Sequence, residues 1–180
     1  MRIISGKFRG KTIPSPKEEI VKPTLDRIKE NIFNILQFKV AQSEVLDLFA
    51  GSGALGIECI SRGAKFVTFV DNNRKNTSLL EKFLKGLGAD NFEVKTCDYY
   101  DALKTNAKFD IIFLDPPYDS DLAETAISKI YKFGSLNENG IIVWEHSATK
   151  DNTKFAHKVF DSRKYGSVIV DFLGKEKTAE

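Results

Sequence analysis

A chain of 180 residues, 42% hydrophobic and 29% charged, is long and apolar enough to bury one full core, which excludes disorder and a fibre and favours a single domain over 1–180. No apolar run approaches the roughly 20 residues needed to span a bilayer, and Met1-Arg2-Ile3-Ile4-Ser5-Gly6-Lys7 lacks the apolar core of a signal peptide, so a soluble, cytoplasmic chain without a membrane partner is expected. The net charge of +2 hides an asymmetry: residues 1–39 hold nine Lys and Arg against four acids, a basic entrance that suits a polyanion because such side chains displace counterions from phosphates. A solvated lysine-rich surface is the plainer alternative.

In chain order, residues 1–39 form a basic extension. Gly6, Gly10, Pro14 and Pro16 predict a small hairpin or loop. Pro23-Thr24 then precedes Leu25, Ile28, Ile32, Ile35 and Leu36, a stripe at helical spacing for which Thr24 is the expected N-cap. Residues 40–180 read as a Rossmann-like core. Strands are expected at 44–49, 66–70, 92–95, 109–114 and 140–144, with helices near 54–61, 73–87, 99–104 and 121–133. Two further β-like runs, 155–161 and 167–173, are joined around Arg163-Lys164-Tyr165-Gly166 and read as an antiparallel hairpin. Strands too apolar for a half-solvated sheet, alternating with helices, predict a doubly wound α/β fold: a mostly parallel seven-stranded sheet, its last strand antiparallel, with helices on both faces. Cys59 and Cys97 show no metal-ligand spacing and are expected to be reduced packing residues, with no metal bound.

Gly51-x-Gly53-x-x-Gly56 follows the first strand and opens a helix, and Asp71 lies about 20 residues on, at the end of the next strand, where an acid can accept hydrogen bonds from ribose hydroxyls. A dinucleotide site has the same outline. Asp47 at the end of the first strand discriminates, because a carboxylate there crowds a pyrophosphate and suits the cationic amino group of a methionine moiety. Glycines 51 and 53 let backbone approach the ligand closely. Asp98 is placed to meet an adenine amine, or alternatively to cap the helix that follows it. Phe49, Ala50, Asn72 and Tyr99 complete the candidate binding loops for S-adenosyl-L-methionine and its product S-adenosyl-L-homocysteine.

A second motif, Asp115-Pro116-Pro117-Tyr118, ends the buried strand at 109–114, at the edge where open α/β sheets place their ligands. With φ locked by proline, the Pro116 carbonyl and the Asp115 carboxylate can both accept hydrogens from one amine, and Tyr118 offers an aromatic face to a base. An exocyclic amine shares its lone pair with the ring; two acceptors on its hydrogens favour a pyramidal nitrogen and free that pair for attack. Guanine sets N1–H beside its amino group, so Asp115 leans toward guanine, although adenine-N6 methyltransferases carry the same tetrapeptide. Together the two motifs point to methyl transfer. His146, beside Glu145, is placed to line the pocket, and His157 reads as a surface residue.

The chain resembles the bacterial 16S ribosomal RNA guanine-N2 methyltransferases of the RsmD family. The likeness runs through Arg2-Ile3-Ile4-Ser5-Gly6, Arg9-Gly10-Lys11, Lys22-Pro23-Thr24-x-Asp26-Arg27, Ile32-Phe33-Asn34-x-Leu36, both central motifs and Tyr165-Gly166. It implies a class I methyltransferase fold acting on a guanine 2-amino group in 16S ribosomal RNA, within the small ribosomal subunit or an assembly intermediate; a chain this compact is expected to act as a monomer. It also implies that Thr24 and Arg27 close over the pocket, while Arg2, Arg9 and Lys11 meet RNA. Arg27 paired with a helix neighbour such as Glu30 is the plainer reading. Lys22 stands where the family usually has arginine, and Asp71 where glutamate is common, which keeps the ribose acceptor but shortens its reach. Two rival functions stay open on the residues alone: an adenine-N6 methyltransferase, and a non-catalytic nucleic-acid-binding module whose glycine loop is vestigial or holds NAD.

Overall fold

Runs such as Val45-Leu46 and Ile111-Ile112-Phe113-Leu114 have no polar face to show to water, so they form strands covered on both sides. The computed structural model describes residues 1–14, 23–117, 121–150 and 153–175, with the side chains of residues 23–25 left aside. Its elements are α1 (Pro23–Ile35), β1 (Glu44–Asp47), α2 (Ala54–Ser61), β2 (Phe66–Asp71), α3 (Arg74–Gly86), β3 (Phe92–Thr96), α4 (Tyr99–Leu103), β4 (Phe109–Leu114), α5 (Leu122–Phe133), β5 (Leu136–Ser147), β6 (Val159–Tyr165) and β7 (Val168–Leu173). The strands make one seven-stranded sheet in the order β3-β2-β1-β4-β5-β7-β6. Pairs from β3 to β5 are parallel, and β7 runs antiparallel to both β5 and β6.

Strand alternation divides the core in two. Val45, Phe69, Ile111, Phe113 and Val143 face a cluster that includes residues of α1, α2 and α3. Leu46, Ile112, Leu114 and Trp144 face the other way, against Ile127 and Ile130 of α5. This is the expected doubly wound architecture. No helix of the described residues is long and apolar enough to cross a membrane.

Several boundaries differ from the sequence expectation, each for a tertiary reason. Thr24 lies inside the first turn of α1, not at its N-cap, because the helix starts at Pro23, whose fixed φ suits the first helical position. Strand β5 extends well beyond 140–144, since β4 pairs with it as early as Leu136 and β7 pairs with it as far as Ser147. The run 155–161 splits: Thr153–Lys158 is a 3-10 helix that buries Phe155 against Trp144, and only Val159 onward is strand. Arg163, Lys164 and Tyr165 consequently pair within β6, and the turn falls at Gly166-Ser167. Pro16 and Lys22 lie outside the described residues.

The basic N-terminal segment is bound to the sheet through α2. Arg2 and Thr12 form an isolated antiparallel bridge, across which the segment folds back on itself. The fully buried Glu58 carboxylate accepts the backbone N–H groups of Ile4 (2.8 Å) and Ser5 (3.0 Å), and pairs with Arg62 Nε at 2.8 Å and Lys29 Nζ at 3.4 Å. Lys29 also donates to the Arg2 carbonyl, so α1, α2 and the hairpin meet at one carboxylate. Burial pushes the Lys29 ammonium below its ordinary pKa, and Glu58 opposes that shift. Gly6, at φ 83°, crosses so close to α2 that a Cβ there would stand 1.8 Å from the Ser61 carbonyl oxygen. Removing one partner of a buried ionic cluster leaves an uncompensated charge and typically costs about 3–5 kcal/mol. Glu58→Ala is therefore expected to lower the unfolding free energy by about that amount in urea titration, whereas Lys85→Ala, on the exposed Lys85–Glu81 pair, should change it by less than about 1 kcal/mol.

Candidate functional site

Because β1 and β4 are adjacent and parallel, with Asp47 level with Phe113, the loops that leave them emerge on the same rim. Both line a single cavity of about 1180 Å³ at the carboxyl ends of the strands. That exceeds the roughly 300–1000 Å³ usual for one small ligand, so a nucleoside cofactor and a second planar group have room together.

The glycine loop turns sharply after β1. Gly51 and Gly53 hold φ of 53° and 74°, values that side chains resist, and the Gly53 N–H donates to the Ala50 carbonyl at 2.6 Å. The glycines serve packing as much as access. A Cβ at Gly53 would meet Leu80 Cδ1 at 2.5 Å, and one at Gly56 would meet the Phe69 ring at 2.2 Å, so α2 and α3 could not seat against β2. Gly53 accordingly lies behind the cavity wall, while Asp47, Phe49, Ala50, Gly51, Asp71, Asn72, Asp98 and Tyr99 line it.

Asp71 ends β2 and braces the loop: its carboxylate accepts the N–H groups of Gly51 (2.8 Å) and Asn73 (2.7 Å). Each oxygen keeps lone pairs for a hydroxyl in the cavity. Asp98 accepts the Tyr100 N–H at 2.8 Å, so it does cap α4, while still facing the cavity. The Phe49 and Tyr99 rings sit 5.5 Å apart, an apolar wall beside the acids.

Asp47 is the most constrained of these groups. It is buried, accepts the Gly56 N–H of α2 at 3.1 Å, and its pKa is pushed up to about 7, first by desolvation and secondarily by the charge of Asp71. A buried acid held near neutrality becomes fully ionised when a cation arrives beside it. The glycine-bounded cavity, an aromatic wall and a buried carboxylate thus fit a ligand with a cationic amino group, a ribose and an adenine, as S-adenosylmethionine has.

On the second loop, Asp115 is exposed to the cavity, Pro116 is buried and Pro117 adjoins it. Tyr118 lies outside the described residues, as does the side chain of Thr24. Arg2, Arg9 and Lys11 are exposed on the N-terminal hairpin, away from the cavity lining, whereas Met1 and Ile28 contribute to its wall. Arg27 is exposed, and its positive charge reaches the Tyr165 phenol, which lines the cavity from the β6–β7 hairpin.

His146 does not line the cavity. It points to the opposite face of β5, where Nε2 lies 2.9 Å from the Asp171 carboxylate and the ring packs 4.4 Å from Trp144. Alternation in the strand decides this, since Glu145 takes the cavity side. His157 is exposed. Of the cysteines, Cys59 is buried and Cys97 is half-buried in the cavity wall; neither forms a disulfide. Sequence reasoning missed Asn73 and Asn76, which line the cavity from the start of α3. The signal was present in the asparagine-rich Asn72-Asn73 stretch after Asp71, where Asn73 is the N-cap.

Residues 1–174 match the family model described as Conserved hypothetical protein 95. The chain is 41% identical to Ribosomal RNA small subunit methyltransferase D of Haemophilus influenzae, over 83% of this chain and 80% of that protein. It is 36% identical to the protein of the same name in Escherichia coli, over 81% and 74% of the two chains. The solved structure of the Escherichia coli protein yhhF superimposes with a TM-score of 0.85 at 32% identity and covers 96% of both chains.

The elevated Asp47 pKa also predicts a pH dependence. Well below the ordinary value of 3.8 the carboxyl is protonated in both states; from there up to about 7 the unfolded chain gives up the proton while the native chain keeps it, so this group costs stability progressively as pH rises. Asp47→Asn removes that cost while the amide oxygen still accepts from Gly56. The variant should approach wild type as pH falls toward about 3 and exceed it above pH 7 by roughly 2–4 kcal/mol in urea unfolding, at about 1.4 kcal/mol per unit. A gain that does not vary with pH would contradict the assignment.

Proposed function

Because the chain belongs to the Conserved hypothetical protein 95 family, the family of the RsmD methyltransferases, we propose that it transfers a methyl group from S-adenosylmethionine to the exocyclic 2-amino group of a guanine in 16S ribosomal RNA. Its substrate is the small ribosomal subunit or an assembly intermediate in the cytoplasm, and the enzyme acts as a monomer. The observation that carries the reading is the single cavity shared by the Asp47–Ser52 loop and the Asp115-Pro116-Pro117 loop. The relatives' name supplies the RNA class.

In this reading the glycine-loop rim holds the cofactor. Asp47 receives the amino group of the methionine moiety, Asp71 the ribose hydroxyls and Asp98 the adenine amine, with the packed Phe49 and Tyr99 rings forming one apolar wall beside the adenine. When bound, S-adenosylmethionine supplies a methyl group on a sulfonium, already activated toward a nucleophile. What the chain must do is prepare and align that nucleophile. The Asp115 carboxylate and the Pro116 carbonyl accept the two amino hydrogens of guanine, which turns the nitrogen lone pair away from the ring and toward the cofactor side of the cavity. Holding the two reactants in line is worth up to about 7–11 kcal/mol, so no covalent intermediate with the protein is needed. As the methyl–sulfonium bond gives way to the new nitrogen–carbon bond and S-adenosylhomocysteine is left, the surplus proton on the methylated nitrogen would pass along its hydrogen bond to the Asp115 carboxylate and from there to water.

The base has to leave its stack to enter the cavity, and a splayed base is the usual target of sequence-specific RNA recognition. Arg27, exposed on α1, would meet a phosphate next to the flipped base, while Arg2, Arg9 and Lys11, exposed on the hairpin and away from the cavity lining, would bind RNA phosphates farther from it.

Asp115→Ala is expected to reduce methyl transfer to small subunits from cells lacking the enzyme by at least about 10³-fold. Its S-adenosylmethionine affinity, measured by calorimetry, should stay within about threefold of wild type, because the residue meets only the acceptor base. A parallel loss of both would contradict this division of labour, and N6-methyladenosine as the wild-type product, identified by mass spectrometry, would overturn the choice of base.

A further inference from the structure

The cavity holds an acid that the transfer chemistry leaves unused. Glu145 lies in β5, is only 8% exposed, and lines the same cavity as Asp115. Leu114 and Trp144 are register partners in the parallel β4–β5 pair, so Asp115 and Glu145 follow at the same level on neighbouring strands. Glu145 is rigidly held. On its other edge it pairs with Val170 of β7, and the next residue is fixed by the His146–Asp171 contact. Strand alternation directs its side chain to the face of Val143, the face that α1 covers and from which Ile28 and Ile32 reach the cavity wall.

We propose that Glu145 is the specificity determinant for guanine, accepting the N1–H of the base while Asp115 and Pro116 hold its 2-amino group. The inference rests on the guanine-N2 reading above. Guanine presents two adjacent donors, N1–H and the amino group, and two carboxylates side by side at the cavity rim form the matching pair of acceptors. A base with an unprotonated ring nitrogen beside its amine sets a lone pair against the Glu145 carboxylate, and a largely buried carboxylate cannot turn out into water to escape it. Discrimination then comes from repulsion of the wrong edge as well as attraction of the right one.

The test uses 2-aminopurine, which keeps the 2-amino group but carries an acceptor at N1. Small subunits lacking the modification are reassembled with RNA bearing either guanine or 2-aminopurine at the position that mass spectrometry of the product identifies. Wild type should prefer guanine by at least about 10²-fold in kcat/KM, as expected when a buried hydrogen-bonding group is left opposed. In Glu145→Gln, whose amide can donate to N1, the preference should fall below about tenfold, with unchanged calorimetric affinity for S-adenosylmethionine. Glu145→Ala should narrow it in the same direction, and either variant that binds cofactor normally is sufficient. A guanine preference equal to that of wild type in a cofactor-binding variant overturns the role of Glu145, as does a wild type that methylates both bases equally. If wild type instead yields N6-methyladenosine, the guanine reading itself fails, an outcome the product analysis separates from the other two.

Discussion

The adjacency of β1 and β4 in parallel register is the constraint from which the rest of the structure follows. These strands are separated by more than sixty residues of chain, yet neighbouring them in one sheet forces the connections that leave their carboxyl ends to open on the same rim. Strand order reverses direction there: β2 and β3 lie to one side of β1, and β4 and β5 to the other. Such a switch point leaves a crevice that no crossover helix covers, which is why open α/β sheets bind ligands at it. Everything the cavity requires, acids, glycines and prolines, sits on loops whose positions this pairing determines.

A second layer of organisation comes from outside the sheet. The N-terminal hairpin and α1 roof one side of the cavity, and they are held there by few but strong ties. Four donors converge on the Glu58 carboxylate, and Ser61 adds more: its hydroxyl accepts from the Phe8 N–H and donates to the Ser5 carbonyl. Buried ion clusters of this kind contribute little net stability compared with apolar packing, but they tolerate only one arrangement. Apolar contact from Ile3, Phe8, Ile28 and Phe33 supplies the adhesion, and the ionic cluster sets the register of the segment against α2. The basic surface that results is carried on the same segment whose inner side walls the cavity.

The cavity rim concentrates acids: Asp47, Asp71, Asp98, Asp115 and Glu145 all contribute to it. Backbone donors moderate that crowding. The start of α2 donates to Asp47, the glycine loop and the start of α3 to Asp71, and the start of α4 to Asp98, so three helix N-termini each meet a carboxylate. Desolvation still holds Asp47 near neutrality, and it is there that a bound cation would do most to restore the charge.

The sequence by itself determined the fold class, the succession of strands along the chain through β4 and the two loops that line the cavity, because those features depend on local pattern: apolar runs of strand length, glycines where φ must be positive, and prolines that end a strand. It also carried the family likeness. Only the tertiary structure decided the rest. The length of β5 came from two neighbours that lend it hydrogen bonds beyond its apolar run, and the 3-10 turn at Thr153–Lys158 from the burial of Phe155 beside Trp144. Which of Glu145 and His146 faces the cavity depends on strand phase, which a stretch as evenly buried as Ile141 to His146 does not reveal. Lys29 and Glu58 read as ordinary surface charges on two helices; that they meet in the interior depends on contact between segments about thirty residues apart, and no local pattern encodes a partner at that distance.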